Sequence, residues 1–173
     1  MSLEKKMQTS AEWWEETKKD PAKLNYWLQR QCYGEFEAFK RLQSLAGTFR
    51  NEILEKIAGQ EFMHYKWIKK YMDDNGIPPL ASHETRYWKE INHTFDTLEQ
   101  AAAVAYHAET MRLERIRLIA ADETNLTLAE IFKKILKDEE FHAEAFKFMS
   151  DDDEIVIAKI DHEAGLQALG LVI

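Results

Sequence analysis

An all-α protein is predicted by three features of the sequence. Only six Gly and three Pro occur in 173 residues, and no run alternates apolar and polar residues long enough for a strand. Apolar residues recur instead at the 3.6-residue helical period along almost the whole chain. The punctuation then leaves short breaks within two pairs of periodic segments and one long break between the pairs. That predicts two antiparallel helical hairpins joined by a long crossover, with extra segments at both ends.

A Trp13-Trp14 segment precedes the bundle. The first long helix opens at Asp20-Pro21, with Asp as N-cap and Pro at the first helical position. It is predicted to run to about Ala46, where Gly47 takes the left-handed terminal position. The second begins just after Thr48 and ends near Asp74, before Asn75-Gly76. A crossover of more than twenty residues follows, with Pro78-Pro79 and a short helix around His83–Asn92. Thr97-Leu98-Glu99-Gln100 reads as a capping box opening the third helix, which runs to about Ala121. Thr127-Leu128-Ala129-Glu130 reads as a second box, opening a fourth helix that ends near Ser150. The Asp151–Asp153 run is a solvated break before a C-terminal helical extension over about 151–173. The whole, 1–173, is predicted to be one domain with its bundle core at about 21–149. Trp13, Trp14 and Leu166–Ile173 are expected to pack on the bundle or on a second subunit.

Hydrophobic residues make up 45% of the chain, enough for a sizeable core. With 31 acids against 23 bases the net charge is -8, which disfavours a nucleic-acid partner held by phosphate contacts. The single Cys32 excludes an intramolecular disulfide and any multi-thiolate zinc or iron site. No apolar run approaches the ~20 residues that span a bilayer. The N-terminus lacks the apolar core of a signal peptide, so a cytoplasmic location without a membrane span is expected.

Polar residues interrupt every apolar stripe at mid-helix. The fourth helix shows Leu128, Phe132, Ile135 and Leu136, then Glu139 and His142, then Phe146 and Met149 on one face. The second repeats this with Ile53, Ile57, Glu61, His64, Ile68 and Met72. The first places Glu35 between Leu28 and Phe39, and the third places Glu109 between Ala105 and Leu113. Four carboxylates buried face to face are strongly destabilising unless a cation neutralises them. Glu35 and Glu61 are each 13 residues from Thr48, and Glu109 and Glu139 are each 15 from Thr124, so each pair is expected at one level. One Glu on each of two helices, with Glu-x-x-His on each of the other two, is the ligand set of a di-iron or di-manganese carboxylate site. Carboxylate and imidazole donors suit iron or manganese.

Chance alone gives roughly 0.7 Glu-x-x-His motifs in a chain with 21 Glu and six His. Three occur; Glu90-x-x-His93 is set aside because Trp88, Ile91 and Phe95 lie on another face. Glu37 competes with Glu35, but it shares a charged face with Arg30, Arg41 and Ser44. The bland alternative for the whole set is a bundle with buried, protonated or hydrogen-bonded polar residues. His83, His107 and His162 read as solvated or structural, and Cys32 as a small core residue.

The segments Gly34-Glu35, Glu61-Phe62-Met63-His64, Glu109 and Asp138-Glu139-Glu140-Phe141-His142 together resemble the ferritin-like di-iron carboxylate superfamily, and its rubrerythrin-like branch most closely. The resemblance covers about 21–149 and implies a ferritin-like four-helix bundle. It implies six metal ligands, Glu35, Glu61, His64, Glu109, Glu139 and His142, with Glu61 and Glu139 bridging. It also implies that Asp138 orients His64 and that Gln60 takes the matching place for His142, a charged partner on one side and a neutral one on the other. Gln31 and Tyr106, one turn from Glu35 and Glu109, are candidate pocket liners or, equally, core residues with a satisfied polar end. Arg112 stands where relatives often carry a further Glu, and one cysteine cannot build the rubredoxin domain of rubrerythrins proper.

The function implied is a di-iron oxidoreductase, with manganese as the alternative metal, that activates or reduces O2 or hydrogen peroxide. Electrons are expected from a separate donor protein, and a homodimer is the usual assembly of such proteins. A ferroxidase or iron-storage subunit and a binding module without redox turnover are the competing readings.

Overall fold

The computed structural model describes residues 8–82, 87–88 and 95–168, and these contain six helices and no strand. Each helix starts where a side chain satisfies its first free N–H groups. Thr9 caps α1 (Ser10–Thr17) in a reciprocal box with Glu12. Asp20 caps α2 (Pro21–Phe49) by accepting from the N–H groups of Ala22 and Lys23. Asn51 caps α3 (Glu52–Asp74), accepting from Leu54 N at 3.0 Å. Thr97 caps α4 (Leu98–Ala120), while Gln100 reaches back to the N–H of Asp96 rather than to Thr97 itself. Asn125 caps α5 (Leu126–Met149), and Asp151 accepts from Glu154 N at 2.8 Å at the start of α6 (Asp152–Ala168).

The turn between α2 and α3, the start of α5 and the start of α6, where only Asp151 of the Asp151–Asp153 run precedes the helix, differ from expectation. α2 does not stop at Gly47; it runs on to Phe49, and Arg50 takes the left-handed conformation at φ 51°. A non-glycine there costs about 1–2 kcal/mol, offset because the chain then delivers Asn51 to cap α3 while Ala46 and Leu54 are buried on either side of the turn. α5 begins before Thr127, because Asn125 both caps Leu128 N at 3.1 Å and donates to the Tyr71 hydroxyl at 2.8 Å. The short helix expected around His83–Asn92 falls largely outside the described residues, although Tyr87 and Trp88 are helical. His83, Glu90 and His93 also lie outside them.

α2 pairs with α3 and α4 with α5, the hairpins meet through α3 and α5, and α1 and α6 cover α4. α4 is therefore buried on more than one side, which accounts for its run Ala101, Ala102, Ala103, Val104. Trp14 is buried, and Leu166 joins Tyr87, Ala103, Val104, Ala108 and Ala158 in a cluster under α6. The end of the apolar tail, 169–173, lies outside the described residues. No described helix is long and apolar enough to cross a membrane.

Two apolar plugs fill the bundle. One contains Leu28, Cys32, Ile68, Met72, Ile116, Phe132 and Ile135. The other contains Leu42, Ala46, Leu54, Ile57, Ala102, Phe146 and Met149. Along every long helix the interrupting Glu falls between residues of the first plug and residues of the second, so the polar layer is sealed at both ends.

Candidate metal centre

Glu35, Glu61, His64, Glu109, Glu139 and His142 converge in that layer. Five of them are fully buried and Glu109 is 6% exposed. Level is thus settled by contact: the α2–α3 turn lies at Arg50–Asn51 rather than at Thr48, yet His64 Nδ1 still stands 3.6 Å from Glu35 Oε2. The ligand atoms form two overlapping groups, each within 4.8 Å: Glu35, Glu61, His64 and Glu139, and Glu61, Glu109, Glu139 and His142. Glu61 and Glu139 belong to both. Glu61 turns Oε2 to His64 Nδ1 at 3.5 Å and Oε1 to His142 Nδ1 at 3.4 Å. Glu139 turns Oε1 to His64 at 3.5 Å and Oε2 to His142 at 3.6 Å.

Among the described residues, every buried side-chain N or O atom without a hydrogen-bond partner belongs to these six. They include both oxygens of Glu61 and Glu139, one oxygen each of Glu35 and Glu109, and Nδ1 of both histidines. Unpaired polar atoms at this depth are costly and rare, and their convergence on shared points is what a cation site looks like before the cation.

The outer nitrogens of both imidazoles are engaged. His64 Nε2 lies 3.1 Å from Asp138 Oδ2, and His142 Nε2 lies 3.2 Å from Gln60 Oε1. Gln60 Nε2 donates to Asp138 Oδ1 at 2.7 Å, joining the two outer partners. This bond sets the tautomers of His64 and His142. An ionised Asp only accepts, so Gln60 turns its amide N–H to Asp138 and its carbonyl to His142. Both histidines then donate from Nε2 and turn Nδ1 to the centre, where its lone pair becomes free for a cation once the proton it carries is displaced.

Without a cation the cluster holds protons. Burial raises the Glu35 carboxyl to about 7, with Arg112 opposing the rise. Burial, and then the charge of Glu139, hold Glu109 well above the usual carboxylate range. Burial works against the His142 imidazolium, but Glu139 and Glu61 overcome it and lift the group to about 9. His64 is raised further, against its own burial, by Glu139, Glu35 and Glu61. An incoming cation displaces these protons.

Arg112 is the residue whose role sequence reasoning missed. Its Nη2 donates to Glu35 Oε1 at 2.6 Å and lies 3.6 Å from Glu139 Oε1, while Nη1 lies 3.6 Å from Glu109 Oε2. The signal was present, because position 112 is one turn after Glu109 on the same face. Arg41 also differs from the exposed face assigned to it: half-buried, it stacks on Trp88 with its guanidinium carbon 3.8 Å from the ring centroid. Glu37 instead pairs with Lys40 at 2.5 Å, away from the centre. Gln31 donates to the same oxygen of Glu35 as Arg112 does. Tyr106 packs in the second plug, and no hydrogen bond among the described residues joins it to the six. His107 donates to the carbonyl of Ile155 at 2.8 Å and His162 pairs with the Tyr87 hydroxyl at 2.7 Å, so both are structural.

The donor set fits a pair of divalent cations: four carboxylates, two neutral imidazole nitrogens and no thiolate. The family model for Rubrerythrin matches residues 27–150, which hold all six of these residues. No curated protein and no solved structure matches the chain.

Proposed function

The chain belongs to the rubrerythrin family, and from that premise we propose that it is a di-iron carboxylate oxidoreductase, with manganese as the alternative metal, that reduces or activates O2 or hydrogen peroxide. The observation that carries the reading is the set of orphaned atoms on the six central residues, two of which divide their oxygens between the halves of the site. Glu35 and His64 would hold one ion, Glu109 and His142 the other, and Glu61 and Glu139 would lie between them. When bound, such a pair supplies one-electron steps that split the reduction of O2 or peroxide into manageable stages.

The chain's own part is geometric and electrostatic. Four carboxylates balance the charge of two divalent ions, the Gln60–Asp138 bond holds both rings with Nδ1 inward, and the two plugs exclude bulk water along the bundle axis. Electrons are supplied by a separate protein in this reading. The one cysteine is buried, and burial pushes the Cys32 thiol up to about 11, so it stays protonated.

The test is metal content after anaerobic ferrous loading, followed by exposure to O2 or peroxide. About two irons per chain, lost in the Glu61→Ala, Glu139→Ala variant, with rapid consumption of either oxidant, are expected. Metal bound without any turnover leaves a binding module, and iron accumulating far beyond two per chain in a large assembly points to storage. No metal at all sinks the reading.

A further inference from the structure

The two halves of the site are not equivalent, and the inequality comes from Arg112. Glu35 Oε1 already accepts from Arg112 Nη2 at 2.6 Å and from Gln31 Nε2, leaving only Oε2 facing His64. The second contact of Nη2 is Glu139 Oε1 at 3.6 Å, again the oxygen on the His64 side. Glu109 makes no such hydrogen bond; Nη1 stands off at 3.6 Å and Glu109 Oε2 is unpartnered. The guanidinium therefore sits on the Glu35/His64 half, where its positive charge already does part of what a metal ion would do.

We infer that Arg112 imposes a filling order: the Glu109/His142 position takes the first divalent ion, and the Glu35/His64 position takes the second in competition with Arg112. The inference rests on the di-metal reading above. An ion in the second position must draw on a carboxylate that stays bound to a guanidinium, and it must tolerate that fixed cation beside it. Asp138 behind His64 acts the other way by making that ring a stronger donor. It stands one imidazole ring farther out, whereas Arg112 acts directly on the ligand oxygens. Arg112 is a positioning residue in this scheme: it holds Glu35 and grades the pair, and it touches no substrate.

The experiment is an anaerobic Mn2+ titration of the full chain by calorimetry, with electron paramagnetic resonance of the sample holding one equivalent. Wild type should bind in two steps at least tenfold apart, and the one-equivalent sample should show isolated Mn2+ rather than a coupled pair. His64→Ala should abolish the weaker step and His142→Ala the tighter one, which fixes the order without altering Arg112. R112Q should tighten the second step about tenfold while lowering the melting temperature of the metal-free protein, because the carboxylates lose their resident cation. R112K, which keeps the charge, should keep the two-step order. A merely structural arginine would weaken both steps on replacement.

Two equal steps in wild type, or a coupled pair from the first equivalent, would overturn the filling order and leave the di-metal reading standing. So would an unchanged gap in R112Q. A wild-type protein that binds no Mn2+ or Fe2+ overturns both.

Discussion

Among the described residues the buried acids are Asp122 and the four central glutamates, and the chain treats the two cases oppositely. Asp122, in the turn between α4 and α5, has a side chain 4% exposed. It accepts from Trp14 Nε1 at 2.9 Å, Lys18 Nζ at 3.0 Å, the Thr124 backbone N–H at 2.7 Å and the Thr124 hydroxyl. Its donors come from α1, from the Lys18 that ends α1 and from its own turn, so it fastens the N-terminal helix to the bundle. The four central glutamates are as deeply buried, yet six of their oxygens have no partner. Burial of a carboxylate is therefore no sign of function by itself. What separates a clamp from a ligand is whether the protein satisfies it.

The largest expected effect tests that separation directly. Saturating Mn2+ or anaerobic Fe2+ should stabilise the protein by about 4 kcal/mol for each position held at a thousandfold its Kd, read by calorimetry as a concentration-dependent melting temperature. Metal-free Glu61→Gln, Glu139→Gln protein should melt close to metal-free wild type, since each lost charge leaves together with the histidine proton it held and no buried ion is left unpaired, and it should gain nothing from metal. A double variant that loses several kcal/mol in the metal-free state would make these glutamates clamps like Asp122 and erase the contrast.

Asp122→Asn should do the reverse, destabilising metal-free and loaded protein alike by about 2 kcal/mol. The lower end of the range applies because the Lys18 side chain is 19% exposed and regains water. Burial opposes the charge on Asp122, but the Thr124, Lys18 and Trp14 donors outweigh it and hold the carboxyl well below the usual carboxylate range. A depressed folded pKa stabilises the fold fully above the unfolded value of about 3.9 and loses that contribution as pH falls below it. The gap between wild type and variant in thermal melts should thus be constant near neutrality and close in acid. A gap that widens in acid would mean that Asp122 is not the ionised partner its donors indicate.

How far the sequence reveals this contrast depends on the spacing involved. The stripes of α2 to α5 expose the six central residues, because helical period converts sequence spacing directly into a shared face. The Glu-x-x-His repeats at Glu61 and Glu139 add a motif that chance seldom doubles. Asp122 is invisible to the same method: its partners Trp14 and Lys18 are more than a hundred residues away, and no local period links a turn to a terminal helix. Arg112 is an intermediate case. Its place on the face is legible, but a cation that enters a carboxylate cluster from a half-exposed position depends on side-chain reach. The helix end expected at Gly47 and the helix start expected at Thr127 shift in the structure for a related reason, since Asn51 and Asn125 are the residues that cap, next to the buried Leu54 and bonded to Tyr71.

The smallest expected effect concerns the bond between Gln60 and Asp138, which couples the halves of the site from outside. Of the two histidines, Asp138 bonds only His64 and Gln60 only His142, yet the orientation of Gln60 is set by Asp138. Asp138→Asn replaces an acceptor-only group by one with a donor end. If the new amide turns its oxygen to His64, its nitrogen faces the Gln60 nitrogen, and Gln60 must flip and offer His142 a donor in place of an acceptor. If it turns its oxygen to Gln60, it offers a donor to His64 instead. Either way one imidazole loses the acceptor that holds its Nε2 proton, and the Nδ1 lone pair is no longer reserved for metal. Gln60→Ala strands only His142. Mn2+ titration should therefore show Asp138→Asn weakening both steps by about tenfold, averaged over the two orientations, and Gln60→Ala weakening chiefly the step assigned to His142. The effect stays at the low end of that range because the Asp138 side chain is 22% exposed and water substitutes in part. If Asp138→Asn disturbs the His64 step alone, the two outer partners act independently, and the balance between the halves is set from within, by Glu61, Glu139 and Arg112.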